Sequence, residues 1–188
     1  MSDTPEEIQA QWVAQDRALR ARFSGSIGPV PPAVLAQRSG LDVLKAIAAG
    51  ELPRAPISEA LDFILVDVEP GRAVFQGNPR AEHYNPIGSV HGGWMATLLD
   101  SCLGCAVHST LPAGKGYTTL ELKVNFVRAL TSDVGPVRAE GKIINVGSRV
   151  GTADGRLTDA AGRLYAHATT TCLIFDAAEM RREKRGGG

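Results

Sequence analysis

The sequence predicts an α+β fold in which one long apolar helix is wrapped by an antiparallel sheet, preceded by a helical appendage. Three observations predict it. Apolar residues dominate from Trp94 to Val107, as in a helix buried in a core. Alternation with a period of two follows in Leu120, Leu122, Val124 and Phe126, and again in Val137, Ala139, Gly141 and Ile143. Four successive strand patterns after a single helix favour antiparallel pairing, with the helix lying on the inner face.

Taken in order, Thr4-Pro5-Glu6-Glu7 has the form of a capping box with proline at the first helical position. Ile8, Trp12, Leu19 and Phe23 then form one stripe of an amphipathic helix. Gly25 to Pro32 breaks regular structure, and a second short helix near Leu41 to Ala49 ends at Gly50. Pro53 and Pro56 close an appendage over residues 1–56. Its "AVLAQRSGLDVLKAI" stretch has the outline of a helix-turn-helix but no basic face.

The body spans residues 57–176. Leu61 to Glu69 and Ala73 to Gly77 flank Pro70-Gly71 as a hairpin, and the apolar helix ends near Thr110, before Pro112. Two further strands fit Arg149 to Thr158 and Arg163 to Phe175, joined by a turn at Asp159 to Gly162. The expected order is β-β-α-β-β-β-β. Residues 177–188, with Arg181, Arg182, Lys184 and Arg185 before three glycines, read as a flexible charged tail.

A chain of 188 residues with 44% hydrophobic and 21% charged residues can fill one core and carry an appendage. Twenty basic residues balance twenty acidic ones, so no net field points to nucleic acid or to an anionic membrane. The start, MSDTPEEIQAQW, has no apolar core of a secretory signal, and no apolar run is long enough to cross a bilayer. Three cysteines suit a reducing, cytoplasmic setting. Cys102 and Cys105 form a C-x-x-C inside the apolar helix, with no second pair, and read as small buried hydrophobes. His83, His91, His108 and His167 show no metal-ligand spacing with the carboxylates, so no metal or cofactor is expected.

The stretch NPIGSVHGGWMATLLD, Asn85 to Asp100, breaks the pattern of a core helix. Gly93, Thr97, Asp100 and Gly104 share one face of small side chains around a carboxylate. A strand, a second subunit or a ligand must approach that face. Asp100 either fixes packing through a hydrogen-bonded neighbour or does chemistry. At the helix mouth, glycine either allows a carbonyl to reach the unpaired N–H of Gly92 or serves a tight turn.

The combined motif, N-x-x-x-x-x-H-G-G with an aspartate further along, then T-T-x-E-L-x-V-x-F, resembles the PaaI-type thioesterases of the hotdog superfamily. The resemblance covers about residues 57–176. It implies a long helix wrapped by an antiparallel sheet and hydrolysis of acyl-CoA thioesters. By position it implies a catalytic set of Asn85, His91, Gly92 and Asp100, with Thr118 supplying the hydroxyl that partners the acid. Val90, Gly93, Thr119, Gly147, Ser148, Arg149 and Arg128 complete the expected substrate-binding set, the two arginines as a basic rim for the phosphates of coenzyme A.

Helix geometry adds a constraint. Gly92 and Asp100 are separated by roughly 12 Å at 1.5 Å per residue. A base and an oxyanion donor must both lie within roughly 3 Å of one reacting centre. Two antiparallel helices across a twofold axis solve this, so a homodimer with composite sites is expected, and the resemblance adds a dimer of dimers. Asp100 would activate water or attack the carbonyl itself, and Thr118 would orient it. An enoyl-CoA hydratase or dehydratase using His91, and a non-catalytic acyl-CoA-binding module, are the rival readings. The acyl group, aryl or medium-chain, stays open.

Overall fold

A computed structural model describes residues 3–23 and 26–177. Helix α1 (Pro5–Arg22) starts at the expected capping box: Glu7 N–H donates to the Thr4 hydroxyl at 3.3 Å, and Thr4 N–H donates to the Glu7 carboxylate at 2.7 Å. Three shorter helices follow, α2 (Pro32–Gln37), α3 (Gly40–Ala48) and α4 (Pro56–Ala60). Of these, α3 is the helix expected near Leu41 to Ala49. Both α2 and α4 are one-turn helices opened by a proline, too short to show a periodic stripe.

The body carries β1 (Phe63–Glu69), β2 (Arg72–Gly77), α5 (Gly92–His108), β3 (Lys115–Phe126), β4 (Val137–Val146), β5 (Val150–Asp159) and β6 (Leu164–Asp176). The order β-β-α-β-β-β-β stands. All six strands join one antiparallel sheet in the order β1-β2-β4-β5-β6-β3. Helix α5 is inserted between β2 and β3, so β3 pairs with β6 at the far edge rather than with β2. Among the described residues, strands β1 and β3 are therefore the two open edges of the sheet.

Leu98, Leu99, Cys102, Leu103, Ala106 and Val107 of α5 are fully buried against the sheet. Such burial is worth about 1.5–3 kcal/mol for each large aliphatic side chain. The appendage is not a separate body. Leu44 of α3 joins the same core, and Gly40 N–H donates to Leu111 O just beyond α5 at 3.0 Å. Helix α1 lies on the outer face of β1 and β2, where Leu19 packs on Ile64, Val66 and Val74. Arg20 of α1 and Arg80 of the body both pair with Asp62, at 2.9 and 2.6 Å.

Strand β3 departs from the expected alternation. A bulge between Thr119 and Glu121 reverses its phase. Leu122 and Val124 still pack on the core, but Leu120 stands 61% exposed instead of sharing their face. The charged tail expected over 177–188 lies, from residue 178 on, outside the described residues. Among the described residues, no helix is long and apolar enough to cross a membrane.

Candidate active site

The mouth of α5 is built by His91 and two glycines. His91 is the N-cap, and its Nδ1 accepts from Gly93 N–H at 2.8 Å. That acceptor role requires a lone pair on Nδ1, which puts the proton of the neutral ring on the exposed Nε2 side. The ring is thereby occupied as a cap. His83 supports it: His83 O accepts from His91 N–H at 2.8 Å, and its ring stacks on Trp94 at 5.2 Å. Burial, then the charge of Arg80, pushes the His83 pKa down and keeps that ring neutral.

With Gly93 N–H taken by His91, the N–H of Gly92 is the first donor of the helix without a partner among the described residues. Its lack of a side chain also has a packing reason. A Cβ on Gly92 would come within 3.0 Å of the Phe126 ring, and one on Gly93 within 2.8 Å of His91 Nδ1. Access and packing thus ask for the same residue.

Asn85 folds its own loop. Its Oδ1 accepts from Ile87 and Ser89 N–H at 3.0 and 3.4 Å, and its Nδ2 donates to Ser89 Oγ at 3.1 Å. Val90, buried beside it, closes the loop, with its N–H donating to Leu130 O. Asn85, Gly92 and Arg128 line one open cleft at this end of the molecule, with Phe126 as its wall.

Asp100 lies two turns further along and is half-buried in the single chain. Its Oδ1 accepts from the Thr119 hydroxyl at 2.9 Å. This corrects the expectation for Thr118, which is exposed. The physical reason is the bulge after Thr119. The alternation read from Leu122 and Val124 carries back to Thr118, yet upstream of the bulge it is Tyr117 and Thr119 that face α5. Two adjacent threonines made either assignment legible, and a bulge leaves no mark that the residues themselves show.

The stripe of small residues is closed in part from within the chain. A Cβ on Gly104 would meet the Tyr117 ring at 2.6 Å, so strand β3 is what approaches there. Gly93, Thr97 and Asp100 stay uncovered or half-covered. Burial holds the Cys102 thiol well above its usual pKa and pushes Cys105 up to about 12. Both thiols are protonated at neutral pH, as inert small hydrophobes.

Gly147, Ser148 and Arg149 form the exposed turn between β4 and β5. The register Val150–Leu173–Thr118 places this turn two strands from Thr118, roughly 10 Å away at 4.8 Å per strand. The expected residues therefore fall into two groups in one chain. Asn85, Val90, His91, Gly92, Gly93 and Arg128 gather at the mouth; Asp100, Thr119 and the 147–149 turn gather at the other end.

Known proteins share this architecture. The family model for the thioesterase superfamily matches residues 87–166. A Saccharolobus solfataricus protein named as an inferred esterase, SSO2140, is 32% identical over 134 residues, 71% of this chain and 94% of its own. The phenylacetic acid degradation protein PaaI of Thermus thermophilus, solved as a mutant, has 29% identity and a TM-score of 0.57, over 63% of this chain and 97% of that one. A phenylacetic acid degradation-related protein of Ralstonia eutropha JMP134 has 27% identity and a TM-score of 0.63, over 69% and 98%. With α5 held in the curl of a six-stranded antiparallel sheet and these relatives matched nearly end to end, the chain belongs to the thioesterase superfamily, as a PaaI-type hotdog thioester hydrolase.

Proposed function

We propose that the protein hydrolyses aryl- or medium-chain acyl-CoA thioesters at two identical sites shared across a homodimer. Each site combines Asp100 and Thr119 of one protomer with the Gly92 mouth of its partner. The observation that carries this reading is the division of the site residues. One unbroken helix holds a carboxylate tethered through a single oxygen and, eight residues earlier, an unpaired N–H. Two such helices running antiparallel complete both sites at once. Edge strand β3 supports the pairing: Leu120 at its middle, Phe126 at its end and Val127 just beyond are 61%, 50% and 53% exposed, and an apolar edge left uncovered by the described residues calls for a partner.

In the proposed reaction the thioester carbonyl accepts from Gly92 N–H, which stabilises the oxyanion as it forms. Thr119 holds Oδ1 of Asp100, leaving Oδ2 to take a proton from water. The water oxygen bonds to the carbonyl carbon, the C–S bond breaks, and the thiolate leaves and takes up a proton. The products are the free acid and coenzyme A. Arg128 and Arg149, neither within 4.0 Å of a carboxylate among the described residues, are free to pair with the phosphates. Both are exposed, one near each half of the composite site.

The relatives' phenylacetic acid names favour testing an aryl substrate beside fatty acyl ones. The experiment is thiol release from a panel of phenylacetyl-, benzoyl- and straight-chain acyl-CoA, run beside hydration of an enoyl-CoA. Thiol release on part of the panel is expected. Hydration without thiol release would replace hydrolysis with the hydratase reading, and CoA binding with no turnover would leave a binding module.

A further inference from the structure

The appendage has no place in the mechanism, yet it closes a cavity of about 120 Å³ against β1 and α5. Its walls are almost wholly apolar. Leu44, Ile47 and Ala48 come from α3, Leu65 and Phe75 from the sheet, and Cys105 from α5. Phe23, under the Arg54 guanidinium at 3.8 Å, forms the outer wall. An apolar cavity of about 150 Å³ accepts a benzene ring, and this one, somewhat smaller, has room for a few methylenes.

Cys105 connects it to the acid. Five residues of helix advance roughly 7.5 Å and turn by about 140°, which sets the Cβ atoms of Asp100 and Cys105 roughly 10 Å apart. Ser101 lies between them, and all three are only partly buried. The Ser101 hydroxyl is turned back onto its own helix, donating to Thr97 O at 2.8 Å, so it presents little polarity to that strip.

We propose that this cavity receives the far end of the substrate's acyl chain, which runs from the carbonyl beside Asp100 along the same protomer's α5. The proposal rests on the thioesterase reading above and narrows it. Carbon–carbon bonds of about 1.5 Å advance an extended chain by roughly 1.25 Å per carbon, so about eight carbons span the strip. A few more fill the cavity. The substrate class is a straight medium-chain acyl-CoA of roughly eight to twelve carbons, and a phenylacetyl group is too short to reach. The division of labour is then complete: one protomer holds the acid and the acyl chain, and its partner holds the carbonyl oxygen.

Two measurements on the full chain test this. The first is kcat/KM by thiol release for butyryl- to palmitoyl-CoA and phenylacetyl-CoA, in the wild type and in Ala48→Leu, which fills the cavity from α3. The wild type should peak between octanoyl- and dodecanoyl-CoA, and Ala48→Leu should lower the decanoyl-to-butyryl ratio at least tenfold. The second is the Tm shift given by 1-octanol, which needs no catalysis: a rise in the wild type, and none in the variant. If acyl-CoA is hydrolysed with the same chain-length profile in both proteins, the cavity proposal falls and the thioesterase reading stands. If no acyl-CoA is hydrolysed but octanol still separates the two proteins, the apolar-chain site stands and the thioesterase reading falls. Should Ala48→Leu fail to fold, Ile47→Phe, which narrows the same wall, gives the same comparison.

Discussion

The two halves of α5 share one helix and have opposite surroundings. From Gly92 to Asp100 the face bearing Gly93, Thr97 and Asp100 is uncovered or half-covered in the single chain. From Ser101 to His108 the same face is closed: Tyr117 fits over Gly104, and the His108 ring packs on Tyr117 at 5.3 Å. Helix α3 lies against that end, through Gly40 and Leu111. Polar groups in the open half keep unfilled hydrogen-bonding capacity, whereas the closed half holds thiols that burial keeps protonated. The comparison teaches that cover, rather than composition, decides which part of this helix is available for chemistry.

The largest test of that contrast is removal of the cover. Deleting residues 1–54 uncovers Leu65 and Phe75, which face α3 across the cavity, and takes away buried Val43, Leu44 and Ala46. The expected outcome is loss of soluble folded protein, measured by yield and by the cooperativity of thermal unfolding. A well-folded, active truncation would show that the closed half is closed by the sheet alone.

Next comes the open half. Asp100→Asn should fold, bind substrate and lose roughly a hundred- to ten-thousand-fold in kcat, the usual share of a positioned base. Gly92→Pro removes the mouth N–H and should be nearly inactive too. Proline is tolerated at the first turn, His91 before it has the extended ψ of 134° that proline favours, and half-exposed Phe126 has room to yield. Refolded together, the two variants should regain about a quarter of wild-type activity, because half the dimers are mixed and each has one intact site. A mixture as inactive as its parents, with heterodimers present by mass, would place both groups within one chain.

A smaller effect separates the two threonines. Thr119→Val should lower kcat roughly tenfold by freeing the Asp100 carboxylate, while Thr118→Val should stay within roughly twofold. The reverse ranking, read from initial rates, would restore Thr118 as the partner of the acid.

The smallest lies in the closed half. Burial pushes the His108 pKa below its ordinary value, so the folded protein holds the ring neutral. Between the lowered folded pKa and the unfolded value of about 6.5, the unfolded chain binds more protons, and stability rises with pH. This contribution is present above about pH 6.5 and is lost as the pH falls below it. His108→Gln should flatten that part of a Tm-against-pH curve; an unchanged slope would remove the ring from the closed end.

What the sequence determined by itself was periodic and local. The capping box at Thr4, the apolar run of α5, the succession of elements along the chain and the N-x-x-x-x-x-H-G-G mouth were all legible, because each depends on residues close together in the chain. Helix rise alone also separated Gly92 from Asp100, the distance on which the proposed second protomer rests. Tertiary structure decided three things that no local pattern carries. A bulge in β3 gave the acid Thr119 in place of Thr118, since one extra residue reverses every side chain upstream of it. His91 spent its Nδ1 on Gly93 and left the Gly92 N–H unpaired, a choice made by one side-chain rotation. The appendage became a wall of the core because Leu44 and Leu65, distant in sequence, meet only once β1 and α3 are in place.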